Sequence, residues 1–222
     1  MEDEEGAFVA PATDGAQAPS TLREAPSSIA GWTVYAVDSH SLIFQVFHAM
    51  QGSELSSPRG EPVGAVYGFT RDMLQLLERR RPTAILCAFD LPGTTFRHEL
   101  YEAYKGDRGE MPEELVSQIP KIRQVLEALG IPVLDSPGFE ADDVLATVAR
   151  LCDEARASCY VVTGDKDCRQ LITPHVSVYN IRKDEVYDAA ALEADWGIRP
   201  DQVVDFQALV GDKVDNVPGV PL

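Results

Sequence analysis

Positive charge is scarce in this chain. Lys and Arg number 19 against 36 Asp and Glu, a formal net charge of −17 over 222 residues. Phosphate binders are ordinarily basic, so the total excludes a nucleic-acid module that works through a broad cationic surface. Cysteine is sparse too. Cys87, Cys152, Cys159 and Cys168 form no C-x-x-C pair, and Cys87 and Cys159 lie in or beside apolar runs that read as buried strands. That excludes a disulfide scaffold and a zinc ribbon, and leaves reduced thiols in a cytoplasmic protein. The histidines His40, His48, His98 and His175 share no ligand spacing and read as structural or surface residues. No apolar run approaches the roughly 20 residues needed to cross a bilayer. The N-terminus is acidic and has no apolar h-region, so neither secretion nor a membrane partner is expected. There is no G-x-S-x-G and no activated cysteine, so a side-chain nucleophile is not expected either.

What the chain does have is acid in telling places. Gly138-Phe139-Glu140-Ala141-Asp142-Asp143-Val144-Leu145 puts three carboxylates at the start of a helix. Its apolar face follows at helical spacing through Ala141, Val144, Leu145, Val148 and Cys152. An acidic first turn is common, because the helix dipole favours negative charge there. Four further places make the ordinary explanation insufficient. Apolar runs end in acid at Val34-Tyr35-Ala36-Val37-Asp38 and Ile85-Leu86-Cys87-Ala88-Phe89-Asp90. A third run, Tyr160 to Gly164, leads into Asp165-Lys166-Asp167, and Gly211-Asp212-Lys213-Val214-Asp215-Asn216 lies near the end. In an open α/β sheet the carboxyl ends of the strands line the ligand crevice. Carboxylates crowded there repel one another unless a cation sits among them. Hard oxygen donors suit magnesium or manganese.

These acids also explain much of the charge. The first 30 residues carry six acids against Arg23, and the candidate site carries nine; setting both groups aside leaves a net of only −3. Residues 1–30 are rich in Ala, Pro, Ser, Thr and acids and read as a disordered tail. Beyond them the patterns predict strands at 33–38, 84–90, 131–134 and 159–163, and a marginal hairpin at 176–180 and 185–187. Helices are predicted at 39 to about 50, 63 to about 80, 112–129, from 140 onward, 167–172, 189–196 and 201–210. Strands alternating with helices predict an α/β fold with a mainly parallel central sheet and helices on both faces. Arg79-Arg80-Arg81 ends a helix, where cations complement the dipole, and is read that way in preference to a DNA contact.

The stretch from Thr94 to about Glu110 is different. It mixes Phe96, Arg97, His98, Tyr101, Tyr104, Lys105 and Arg108 with a poor core-facing pattern. Cations neutralise phosphates and aromatic rings stack on bases, so this segment is read as nucleic-acid binding in preference to a plain exposed loop.

Taken together these residues resemble the 5′ nuclease domain of bacterial DNA polymerase I, within the flap endonuclease superfamily. The matching stretches are VDSHSLIFQVFHAM, RGEPVGAVYGF, AFDLPGTTFRHELYEAYKGDR, GFEADDVLATVA, TGDKDCRQL and GDKVDNVPGV, in family order from about residue 33. The resemblance implies a PIN-like 5′ nuclease core over 31–187, a helical arch, and a helical DNA-binding subdomain beginning at 188–222. It implies two Mg²⁺ or Mn²⁺ ions. Asp38, Asp90 and Asp142 would hold the first, with Glu140 direct or through water. Asp165, Asp167 and Asp215 would hold the second, with Asp212 and Asp143 outside them. Lys105 and Arg108 would reach the scissile phosphate as catalytic cations; Tyr101 and Tyr104 would border the strand, and Arg97 is a further phosphate contact. The implied partner is DNA with 5′ flaps, nicks or ends. The implied protein is a monomer in the cytoplasm, associated with the nucleoid.

Two features depart from the family pattern. Val214 stands where the family usually has Ser, and the sequence reaches Leu222 where a Gly-rich hairpin and a further helix are expected. An incomplete helix-hairpin-helix region is therefore expected, with a polymerase domain in the full-length chain. Two other readings compete: a PIN-type ribonuclease, usually shorter and without the FRHELYEAYKGDR stretch, and a non-catalytic module that holds a cation structurally. Loss of a ligand would favour the latter, yet every expected acid is present.

Overall fold

The computed structural model describes residues 26–51 and 55–221. Most of the expected tail, up to residue 25, and part of the expected loop after Gly52 lie outside the described residues.

In chain order the elements are β1 (Thr33–Asp38), α1 (Ser39–Ala49), α2 (Gly64–Arg80), β2 (Ala84–Ala88), α3 (Phe96–Leu100), α4 (Glu113–Val116) and α5 (Ile119–Ala128). There follow β3 (Val133–Leu134), α6 (Ala141–Glu154), β4 (Ser158–Val162), a 3₁₀ turn Asp167–Leu171, β5 (Val176–Asn180) and β6 (Glu185–Tyr187). The chain closes with α7 (Ala189–Trp196), a 3₁₀ turn Pro200–Gln202, α8 (Val203–Val210), β7 (Gly211–Asp212) and β8 (Val217–Pro218).

Six strands form one sheet in the order β3-β2-β1-β4-β5-β6. All neighbours pair parallel except β5 with β6. Side chains alternate across a strand, and β1 shows the consequence. Tyr35 and Val37 enter one core with Leu42, Ile43 and Val46 of α1, Phe69 and Met73 of α2, and Ile122 and Leu126 of α5. Val34 and Ala36 enter the other with Leu145, Ala149 and Cys152 of α6. Each such large side chain, fully buried, contributes about 1.5–3 kcal/mol. Helices thus cover both faces, and the chain must begin α1 and α6 at the carboxyl edge of the sheet. All four cysteines are free and buried. Among the described residues no helix is long and apolar enough to cross a membrane.

The structure adds α3 and the β7–β8 pair to the expected elements and begins the 201–210 helix with a 3₁₀ turn, and it departs from the sequence pattern more deeply in two places. The helix expected over 112–129 is two helices, α4 and α5. Pro120 lies in the first turn of α5; it lacks an N–H, and its ring would clash with the Val116 carbonyl of a continuous helix. The break has a use. Gln118, fully buried between the two pieces, accepts the Ala65 and Val66 amides at 2.8 and 3.2 Å and so caps α2, which has no side-chain cap of its own. The hairpin read as marginal is also more central than expected, because β5 is a parallel member of the main sheet and only β6 is its edge.

Arg80, at the end of α2, pairs with Asp184 of the β5–β6 turn. Arg182 of that turn reaches Asp72 of α2 at 2.8 Å. This part of the basic run therefore has a packing role.

Candidate active site

The acids at the strand ends also hold the helix starts in place. Asp38 ends β1 and caps α1, its Oδ1 accepting the Ser41 amide at 3.0 Å. Asp90 follows β2, and its Oδ1 accepts the Ala141 amide at 2.7 Å, at the first residue of α6. Thr163 follows β4; its hydroxyl donates to Asp38 Oδ2 at 2.8 Å and accepts the Asp165 amide at 3.0 Å. Asp165 Oδ1 in turn accepts the Asp167 amide at 2.9 Å. Unpaired amides at a helix start attract carboxylates, so the fold that buries the apolar faces gathers these acids at one edge.

Gathering them has an electrostatic cost. Burial pushes the Asp38 carboxyl up to about 6, with Asp90 and Asp165 adding to the rise. Asp142 rises to about 7, first from burial and then from Asp38, Asp165 and Asp90. Asp38, Asp90, Asp142 and Asp165 therefore form one mutually repelling group. Asp167 is raised as well, by burial and then by Asp165.

The remaining acids carry counter-ions. Glu140 and Asp143 close a capping box on α6. Arg97 grips both oxygens of Asp143 at 2.7 and 2.8 Å. Burial opposes ionisation of Asp143, but Arg97 and the Glu140 amide outweigh it and hold the carboxyl below its ordinary range. Lys105 Nζ lies 2.9 Å from Glu140, and Arg108 pairs with Asp215. The buried Tyr104 hydroxyl stands 3.0 Å from Glu140 Oε2 and 3.1 Å from Asp215 Oδ2. Burial, followed by these two anions, raises its phenol, which keeps the proton available to donate. Lys166 Nζ lies 3.1 Å from Asp212. Burial pushes that carboxyl upward, but Lys166 and the Val214 and Asp215 amides bring it below its ordinary range.

Of the fourteen residues expected from the sequence, thirteen therefore meet at this edge. Tyr101 does not: it is 40% exposed and lines neither of the two hollows formed by the other residues. Tyr104 is buried against the acids, a hydrogen-bond donor and not an open stacking platform.

As the side chains stand, no three His, Cys, Asp or Glu among the described residues form a group able to hold a metal ion. The donor set nonetheless suits a hard divalent cation. It is all oxygen, and Asp38 and Asp142 are disfavoured as anions by burial and by the carboxylates around them, which a cation would relieve.

Sequence reasoning passed over several groups at this site. His40 accepts the Asp90 amide at 3.2 Å and lies 3.4 Å from its carboxylate. Gln207 of α8 donates to Asp167 at 2.6 Å. Thr163 has already been placed on Asp38. His40 had one available signal, since it lies two residues beyond the strand-end Asp38. Gln207 had none, because only the tertiary fold brings α8 to Asp167. The carboxylates open into a groove of about 1340 Å³ whose other walls include Phe44, His48, Met111 and Ile119. Pockets for small molecules are roughly 300–1,000 Å³, so this one has room for a polymer segment.

Residues 33–197 match the model of the family described as 5′-3′ exonuclease, N-terminal resolvase-like domain. The chain belongs to this 5′-3′ exonuclease family. The match takes in Asp38 through Asp167 and the whole stretch 94–110, while Asp212 and Asp215 lie beyond it. Among the family's curated members, a 5′-3′ exonuclease from Aquifex aeolicus is 39% identical over 188 residues, 85% of this chain and 64% of that protein. A thermostable DNA polymerase I from Thermus thermophilus is 41% identical over 187 residues, 84% of this chain and 22% of the polymerase. The chain thus spans under two thirds of the exonuclease and about a fifth of the polymerase. In fold it is similar to the bacteriophage T5 5′-exonuclease, with a TM-score of 0.67 at 21% identity over 85% of this chain and 70% of that one. It is similar also to flap endonuclease-1 from Methanococcus jannaschii, with a TM-score of 0.57 at 20% identity over 86% and 67%.

Proposed function

We propose that this chain is a metal-dependent 5′-3′ exonuclease and structure-specific flap endonuclease that hydrolyses DNA phosphodiester bonds in replication and repair. The observation that carries the reading is the meeting of two sets of opposite charge at one edge of the sheet. Asp38, Asp90, Asp142 and Asp165 crowd there, and beside them Glu140 and Asp215 hold Lys105, Arg108 and the Tyr104 hydroxyl, which come from a segment outside the sheet. Family membership and the groove's size support it. So do the neighbours: the T5 5′-exonuclease binds divalent metal ions, zinc among them, and a T5 flap endonuclease forms a pseudo-enzyme-product complex with DNA and metal ions.

Two Mg²⁺ or Mn²⁺ ions fit the donors. Asp38, Asp90, Asp142 and Glu140 would hold one; Asp165, Asp167 and Asp215 would hold the other, with Asp212 and Asp143 around it. Bound there, such ions supply a water of lowered pKa and neutralise phosphoryl oxygens. The chain's own part is orientation and charge. Lys105 and Arg108 exchange Glu140 and Asp215 for the phosphate and offset the negative charge developing on its oxygens. The Tyr104 hydroxyl keeps its proton and donates where Glu140 and Asp215 now accept. Arg97, anchored on Asp143, adds positive charge beside the strand's path. The flank with Phe44, Met111 and Ile119 gives one side of the groove an apolar wall. We place the catalytic core at 31–187 and the start of a helical DNA-binding subdomain at 188–222. Action as a monomer is part of the same proposal.

The test is cleavage of a 5′-labelled flap and nicked DNA with Mg²⁺, against chelator and against the same strand in RNA. Metal-dependent release of short 5′ products from DNA is expected. Undiminished cutting in chelator would refute the site, and preference for single-stranded RNA would favour the ribonuclease reading.

A further inference from the structure

Lys105 and Tyr104 do their work from a run of turns over residues 102–107, which no helix or strand supports. Some other contact must hold that segment over the acids. Besides the Tyr104–Asp215 hydrogen bond already described, the loop between β7 and β8 supplies three. The Lys105 amide donates to the Asp215 carbonyl at 3.0 Å. The Arg108 guanidinium pairs with the Asp215 carboxylate. The Asn216 side-chain amide donates to the Ala103 carbonyl at 2.9 Å. Backbone geometry on both sides is specialised for this meeting. Lys105 and Asn216 have φ of 56° and 58°, in the left-handed region that Asn enters more readily than most residues. The loop itself is fixed from behind: Gly211 has φ 74°, and a Cβ on it would collide with the Gly219 backbone.

We propose that Asn216 is a positioning residue. Its side-chain amide clasps the Ala103 carbonyl, fastens the arch segment to the Asp212–Asp215 loop, and so sets Lys105 and Tyr104 over Glu140. Asn216 touches none of the reacting groups. It acts one residue away from Tyr104 on the chain side and one residue away from Asp215 on the loop side. Its two properties, tolerance of positive φ and a side-chain N–H donor, can be separated by substitution. Asn216→Gly keeps the first and loses the second. Asn216→Asp keeps the shape and tolerance of positive φ but replaces the donor with a carboxylate. The consequence for turnover rests on the nuclease reading above; the clasp itself does not.

The experiment compares wild type, Asn216→Gly and Asn216→Asp by hydrogen exchange at the Lys105 amide and by single-turnover cleavage of flap DNA at saturating enzyme. Loss of one hydrogen bond should lower protection of the Lys105 amide roughly tenfold in both variants, with Val161 in the central sheet unchanged. The rate should fall roughly tenfold or more, since small misplacements of catalytic groups are costly, while flap affinity stays within about threefold. If Asn216 served only the turn, Asn216→Gly would match wild type in both readings, and that would overturn the proposal. Wild-type behaviour of Asn216→Asp would overturn it too, as would a slowed rate with Lys105 protection intact. A wild type that fails to cut DNA with Mg²⁺ would remove the nuclease reading, and Lys105 exchange would still decide the clasp.

Discussion

Asp142 is one residue on which opposing demands can be measured. Its carboxyl stands at about 7, raised by burial and by Asp38, Asp165 and Asp90, against an ordinary value of 3.8. The folded state therefore binds this proton more tightly than the unfolded chain. The stability it contributes is complete below the ordinary value and is lost as pH rises through about 7. In chelator, wild-type stability should fall between roughly pH 4 and 8, on the order of a few kcal/mol for this group at about 1.4 kcal/mol per pK unit. Asp142→Asn should melt higher than wild type at the alkaline end and no higher at the acid end. The same variant should lose Mg²⁺-dependent cleavage while binding DNA as well or better, since a ligand charge is gone and the cations remain. Melting curves in chelator across that range decide it; parallel curves for the two proteins would mean that the carboxylates do not repel as described. Residue by residue, Asp38 and Asp90 were legible because each ends an apolar run, and Glu140, Asp142 and Asp143 because they open a helix with an apolar face. His40 and Thr163 were not, because an imidazole or a hydroxyl becomes part of a site only through cross-strand register.

At the scale of elements, the sheet and most helices could be read from apolar periodicity, because burial on two faces imposes it. The division of α4 from α5 was missed. Periodicity continues across residues 116–119, and the proline that forbids a continuous helix there carries less pattern than the apolar residues around it. The purpose of the break is invisible locally, since Gln118 caps a helix more than 50 positions earlier in the chain. Gln118→Leu should therefore cost about 1–3 kcal/mol, leaving the two amides at the start of α2 unpaired in a buried place. Cleavage per folded molecule should be unchanged, because the Gln118 side chain is buried against the start of α2 and does not line the groove. Urea melts at neutral pH measure the cost; no shift in midpoint would show that water or the helix itself satisfies those amides. β5 was undervalued for a related reason. A hairpin signal marks the turn after it, while its parallel pairing with β4 depends on a strand about 15 residues away.

For the molecule as a whole, the problem is how a chain of charge −17 would hold the DNA proposed as its substrate. A field of that sign repels phosphate at long range. The cations best placed to counter it face the groove, yet Arg97, Lys105 and Arg108 are all engaged by Asp143, Glu140 and Asp215. Their availability is thus coupled to the charge on the carboxylates. A divalent cation among those acids weakens their hold on the guanidinium and ammonium groups and removes part of the repelling field at once. Metal should then act on binding before it acts on chemistry. Ca²⁺ takes the same oxygen donors with looser geometry, which suits a binding measurement made apart from turnover. At constant ionic strength, replacing chelator with millimolar Ca²⁺ should tighten flap-DNA binding by wild type roughly tenfold. In a triple variant, Arg97→Gln, Lys105→Gln and Arg108→Gln, the same replacement should gain less than about threefold, because no cations are left to release. Melting temperatures with and without Ca²⁺ show that the variant is folded and still takes up metal, since a ligand bound only by the native state raises stability. An equal gain in both proteins would mean that metal acts on DNA directly or through the overall field. The pairing of the three cations with the three acids would then be a packing arrangement with no part in taking hold of the proposed substrate.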